Sequence, residues 1–182
     1  AVQAQIRHAV ELGYTDVDRV GVIGHSYGGY GAACIACGSA TLRAAVAVSG
    51  VYDLAGVYAT GGSDESDAQS LTMSMLLLEQ HQGRMGRPLW DDPQRYLDNS
   101  PYFHAHEIRA PLLLLHGLTD TNCPPVEAEK LFNALKRLGG TAQLALYAGE
   151  GHVPEEWSRA NRLDLTTRTL EFFDHHVRGA KD

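Results

Sequence analysis

At 182 residues, 44% apolar and 20% charged, the chain has the length and composition of one globular domain with a substantial core. Its 15 Lys and Arg against 22 Asp and Glu leave a net charge of −7, without the basic surplus that nucleic acid or an anionic membrane requires. No apolar run reaches membrane-spanning length and no signal peptide is visible, so the chain is expected in the cytoplasm with neither nucleic acid nor membrane as partner.

Ala1–Leu12 carries Val2, Ile6, Ala9 and Val10 on one face, which predicts an amphipathic helix, with Gly13 as its stop. Ala1 falls inside that helix and reads as a cut end. A short apolar strand follows over Val20–Gly24, then a turn carrying Ser26, then a small-residue helix over Tyr30–Cys37. Ala44–Ser49 reads as a second buried strand, parallel to the first because a helix joins them. Residues 51–101 form a weakly patterned excursion, with a polar stretch at Gly61–Asp67 and an apolar helix over Leu71–Leu78. An excursion of this length between core strands is expected to cap a site.

Pro111–His116 is the strongest buried-strand signal in the chain. After it, Pro124 and Pro125 suit the first turn of a helix whose apolar face is Ala128, Leu131, Leu135 and Leu138. Gln143–Tyr147 is a further strand and ends in the loop Gly149-Glu150-Gly151-His152. Leu163, Thr166, Leu170, Phe173 and Val177 mark a final helix. The reading is an α/β chain with a mostly parallel sheet and helices on both faces. The three cysteines do not suggest a disulfide framework. Cys34 and Cys37 read as packing residues, since no second ligand pair accompanies them, and Cys123 has no assigned role.

Gly24-His25-Ser26-Tyr27-Gly28 matches the G-x-S-x-G nucleophile elbow, and the strand before it and helix after it are the setting that pattern needs. A serine hydroxyl is a weak nucleophile and must stand exposed beside a base. A sharp turn places it there, with glycines where a Cβ would collide as the chain folds back. Ser26, Asp120 and His152 then lie just past the ends of three different strands, where open parallel sheets place their sites. Their order, Ser…Asp…His, is that of the α/β-hydrolases.

These three blocks, with His116-Gly117-Leu118-Thr119-Asp120-Thr121-Asn122 as the second, resemble the catalytic domain of the prolyl oligopeptidase family of serine peptidases. Asn99-Ser100-Pro101 fits the same pattern, and the resemblance spans nearly the whole chain. It implies an α/β-hydrolase fold and hydrolysis of short peptides through an acyl-enzyme, with no cofactor. It implies Ser26 as nucleophile, His152 as general base and then acid, and Asp120 as the group that orients the imidazole. By the same resemblance the Tyr27 amide is one oxyanion donor, Asn122 contacts substrate near the scissile bond, and Tyr58 walls a specificity pocket, although an ordinary packing aromatic serves equally well there.

The departures are as specific. The strands and loop that precede the elbow in this fold, which supply the second oxyanion donor, are absent, as is the propeller that limits substrate size. Cys123 stands where a β-branched apolar residue is expected. The chain therefore reads as the C-terminal part of a catalytic domain, residues 1–182, with an exposed strand edge that self-associates or pairs with an N-terminal part. Two alternatives stay open: a carboxylesterase with the same triad, and an inert fragment that merely associates.

Overall fold

The computed structural model describes residues 2–60 and 75–179. Helix α1 (Val2–Glu11) runs into Gly13, whose left-handed backbone (φ 74°) turns the chain toward strand β1 (Val20–His25). Helix α2 (Tyr27–Ala36) begins after one intervening residue and leads to strand β2 (Leu42–Val48). The excursion beyond β2 contains a helical stretch at residues 75–79 and helix α3 (Pro93–Asp98), capped by Asp92. Strand β3 (Leu112–Gly117), helix α4 (Val126–Arg137), strand β4 (Ala142–Tyr147) and helix α5 (Arg159–Phe173) follow, the last widening into a π-turn over Asp174–Arg178.

The strands form one sheet in the order β1-β2-β3-β4, every pair parallel. All four therefore end at the same edge, and the residues that follow them are gathered there. A parallel sheet must be covered on both faces, and its central strands accordingly read as unbroken apolar runs. One face packs Ala45, Ala47, Leu112 and Leu114 against Ala32, Ala33 and Ala36 of α2 and Ala128, Leu131 and Leu135 of α4. The opposite face packs Ala44, Val46, Leu113 and Leu115 against Trp157 and Phe172. A third cluster gathers the excursion around Leu54, Tyr58, Met85 and Tyr96. Ser100 ties it down, accepting from the Leu54 N–H at 2.8 Å and donating to the Tyr96 carbonyl at 2.6 Å. Among the described residues no helix is long and apolar enough to cross a membrane.

The structure departs from the sequence reading in three places. Helix α2 starts at Tyr27 rather than Tyr30, because the turn at Ser26 feeds straight into it. The expected face of α4 holds for Ala128, Leu131 and Leu135, but Leu138 sits at the C-cap and is 56% exposed. The face of α5 is turned in part: Phe173, and Val177 just beyond the helix, pack on the core as expected, but Leu163 and Leu170 are exposed and the helix buries Thr169 and Phe172 instead, with Leu165 beside them. The helix carries two apolar stripes about 100° apart, and only packing chooses between them. The polar stretch Gly61–Asp67 and the first half of the expected helix Leu71–Leu78 lie outside the described residues.

The glycines of the elbow divide their work unevenly. A Cβ at Gly24 would run into the backbone of Gly28, whereas a Cβ at Gly28 would meet nothing within 4 Å. Gly29 is the crowded residue on the helix side, where a Cβ would stand 2.7 Å from the Val48 carbonyl. Gly24→Ala is therefore expected to lower stability by about 1–3 kcal/mol through overpacking. Gly28→Ala, a helical site with open space, should stay within about 1 kcal/mol of the parent or gain. Urea unfolding of both variants checks this, and equal losses would contradict it.

Candidate active site

The elbow is held as a strained turn. Ser26 has φ 58° and ψ −121°, a left-handed backbone in a residue with a Cβ. Such a conformation persists only where neighbouring structure imposes it. Here the Ser26 N–H donates to the Val48 carbonyl at 2.9 Å, and the Tyr30 N–H returns to the Ser26 carbonyl at 3.1 Å. The first bond ties the turn to the end of β2 and the second starts α2. The result is a half-buried serine whose hydroxyl stands at the sheet edge.

Asp120 follows β3 and is only 5% exposed. Its Oδ1 accepts from the backbone N–H groups of Asn122 and Cys123, each at 2.9 Å. Its Oδ2 lies 2.8 Å from His152 Nδ1 and 3.2 Å from His116 Nε2. Burial opposes ionisation of this carboxyl, but the hydrogen bonds from His116, His152 and the Cys123 amide outweigh it and hold the group well below the usual carboxylate range.

His152 completes the chain of contacts, with Nε2 at 2.9 Å from Ser26 Oγ. A carboxylate on one ring nitrogen and a hydroxyl on the other assign the tautomer: Nδ1 carries the proton toward Asp120 and Nε2 accepts from Ser26. The loop bearing His152 is clamped from several sides. Gly149 turns it with φ 77°, and the Glu150 carbonyl accepts from both the Thr119 N–H at 2.9 Å and the Thr119 hydroxyl at 2.8 Å. A Cβ at Gly117 would run into the carbonyls of Glu150 and Gly151, so the Asp120 turn and the His152 loop meet only because Gly117 lacks one. The Glu150 carboxylate accepts from the Asn161 side chain at 2.6 Å and the Ser158 N–H at 3.0 Å, which lowers its pKa. Trp157 Nε1 donates to the Gly151 carbonyl at 2.9 Å.

Ser26, Asp120 and His152 are thus brought together, and the other named residues stand differently. Tyr27 is the first residue of α2, so its amide has no acceptor within the helix and is free to meet an anion. Its ring stacks on Tyr30 at 5.1 Å. Asn122 is exposed beside Asp120, which it engages through its backbone. Tyr58 forms no open wall: it is 7% exposed, donates to Glu79 Oε1 at 2.5 Å, and packs edge-on to Trp90 and Tyr96 at 5.2 and 5.3 Å. Packing is the role the structure gives it.

Three side chains at the site carried no sequence signal strong enough to single them out. His25 Nε2 lies 2.8 Å from the His152 carbonyl, with the two rings 4.9 Å apart, and so braces the loop of its neighbour. His116 reaches Asp120 from inside the sheet, and a polar residue closing the apolar run Leu112–Leu115 was the available hint. Cys123 is buried; burial first, then the Asp120 and Glu127 charges, push its pKa up to about 12, so it is held as a neutral thiol. Cys34 and Cys37 are both free and half-buried.

Comparison with known proteins agrees with this architecture. An acylaminoacyl peptidase in complex with Z-Gly-Gly-Phe-chloromethyl ketone superposes with a TM-score of 0.80 over 97% of this chain and 27% of its own, at 23% identity, which establishes the α/β-hydrolase fold. The uncharacterized peptidase YuxL of Bacillus subtilis (strain 168) is 28% identical over 174 residues, which are 90% of this chain and 23% of that protein. Dipeptidyl aminopeptidase BIII of Pseudoxanthomonas mexicana is 29% identical over 150 residues, 81% of this chain and 20% of its own length. The chain thus spans about a quarter of the proteins it matches. The model of the prolyl oligopeptidase family matches residues 2–180, nearly end to end and across every strand, so the chain belongs to the prolyl oligopeptidase family.

Proposed function

We propose that this chain carries the nucleophile, base and orienting carboxylate of a serine peptidase acting on short peptides. The observation that supports it is the unbroken chain from Ser26 Oγ to His152 Nε2 at 2.9 Å and from His152 Nδ1 to Asp120 Oδ2 at 2.8 Å. Ser26 Oγ attacks the scissile carbonyl carbon while its proton passes to His152 Nε2. Asp120, kept ionised, stabilises the resulting imidazolium. The carbonyl oxygen becomes an oxyanion, and the Tyr27 N–H at the head of α2 donates to it. His152 then returns the proton to the leaving amine, the C–N bond breaks, and the acyl group remains on Ser26. Water, deprotonated by the same imidazole, attacks that ester and restores the serine. Asn122, exposed beside Asp120, is proposed to contact the substrate near the scissile bond.

A second oxyanion donor is proposed to come from sequence outside these 182 residues. One missing donor of this kind lowers kcat by about 10²–10³, so the isolated chain should turn over slowly. Intact mass after fluorophosphonate treatment tests the assignment. One adduct is expected on the chain, lost in Ser26→Ala and in His152→Ala; an adduct that persists in Ser26→Ala would overturn it. On peptide amides the full-length protein should lose about 10⁴ in kcat on Asp120→Asn. Preference for the amide over the ester of one acyl group separates peptidase from carboxylesterase action.

The low pKa of Asp120 sets an acid limit to stability. Its unfolded value is about 3.9, and the folded value lies below it, so its contribution is complete above that range and is lost as pH falls toward the folded value. Thermal melts between about pH 4 and pH 2 should therefore fall less steeply for Asp120→Asn than for the parent. Parallel slopes would contradict this.

Strand β1 is the edge of the described sheet, and Ile23 on it is 53% exposed. We infer that this edge takes a further strand, from the rest of the same protein or from a second copy. Light scattering of the isolated chain at high concentration should show self-association, and a monodisperse monomer would falsify that.

A further inference from the structure

One donor on Asp120 takes no part in moving the proton. His116 is the penultimate residue of β3, and its side chain is fully buried at 0% exposure. Its Nε2 lies 3.2 Å from Asp120 Oδ2 and 2.9 Å from the Cys123 carbonyl oxygen. Both partners are acceptors, so Nε2 carries the proton and shares it between them. Its Nδ1 has no hydrogen-bond partner among the described residues. Packing alone gives no reason for a histidine here. The preceding residues Leu112–Leu115 are all buried, and an unpartnered ring nitrogen is unfavourable in such surroundings.

We propose that His116 is a positioning residue for the reaction, its Nε2–H fixing the Asp120 carboxylate in the orientation that meets His152. Oδ1 is held by two backbone amides, and rotation about Cβ–Cγ would carry Oδ1 and Oδ2 together, so a donor on either oxygen resists it. Oδ2 is the atom that His152 uses. A second donor on Oδ2 adds to that resistance at the oxygen the imidazole meets. In this tautomer His116 adds a donor without adding a charge, so the full negative charge of Asp120 remains available to the imidazolium. The same proton ties the Cys123 carbonyl, and with it the turn from Asp120 to α4, onto β3. Asp120 thus stands between two imidazoles, one exchanging a proton with Ser26 and one holding the carboxylate still.

This inference rests on the hydrolase reading, and one experiment separates them. His116→Gln and His116→Asn are made in the full-length protein. A glutamine side-chain amide reaches the position of Nε2, whereas an asparagine amide stops at that of Nδ1. The readouts are the rate of fluorophosphonate labelling of Ser26, kcat and KM on a short peptide amide, and the far-downfield proton resonance of the His152–Asp120 bond. His116→Asn should lower the labelling rate and kcat about 10- to 100-fold, the effect of losing a hydrogen bond to a charged group. KM should change by about twofold at most, since substrate binding is untouched. His116→Gln should recover to within about threefold of the parent and keep the downfield resonance that His116→Asn loses. Glutamine no better than asparagine, or both equal to the parent, would overturn the proposal and leave His116 a packing residue. A parent protein that does not label at Ser26 would overturn the hydrolase reading and this inference with it.

Discussion

The carboxylate of Asp120 is the point on which the site depends. It accepts four hydrogen bonds while almost wholly removed from water: two from the turn that starts α4, one from inside β3, and one from the loop after β4. A buried carboxylate without donors would take up a proton, and a protonated acid could neither hold the imidazole tautomer nor stabilise an imidazolium. The donors come from three different stretches of chain. The four bonds therefore fix the relative positions of those stretches as well as the charge.

The elbow opposite supplies the complementary constraint. A positive φ at Ser26 is unfavourable by about 1–3 kcal/mol, and it is maintained by bonds to β2 and α2 and by the close passage of Gly24 over Gly28. That passage aims the serine hydroxyl at the histidine and also puts the first amide of α2 beside it. Gly117 does the same work on the other side, admitting the Glu150 and Gly151 carbonyls against the end of β3. Close backbone approach at two glycines is thus what brings Ser26 and His152 within hydrogen-bond reach.

A second buried carboxylate braces the segment between β2 and the excursion. Glu127 of α4, 2% exposed, accepts from the Tyr52 and Asp53 N–H groups at 3.0 and 2.7 Å and pairs with Lys130 at 3.0 Å. Lys130 in turn pairs with Asp53. The chain leaving β2 is thereby anchored to the helix into which the Asp120 turn leads. The segment after β2 and the carboxylate turn are thus tied to one helix, as a preorganised centre requires.

Much of this was readable from the residues alone. Local periodicity fixed the alternation of strands and helices, because an apolar run or a 3.6-residue stripe is a property of a few neighbouring positions. The order of Ser26, Asp120 and His152 behind three strands pointed to the residues that the structure joins by hydrogen bonds, since all parallel strands end at one edge. The choice between two apolar stripes on α5, the burial of Tyr58, and the meeting of His25, His116 and Cys123 with the three were decided only by tertiary structure. Those contacts link residues up to 127 positions apart. No local pattern encodes them, because they exist only once the sheet has set its strands side by side.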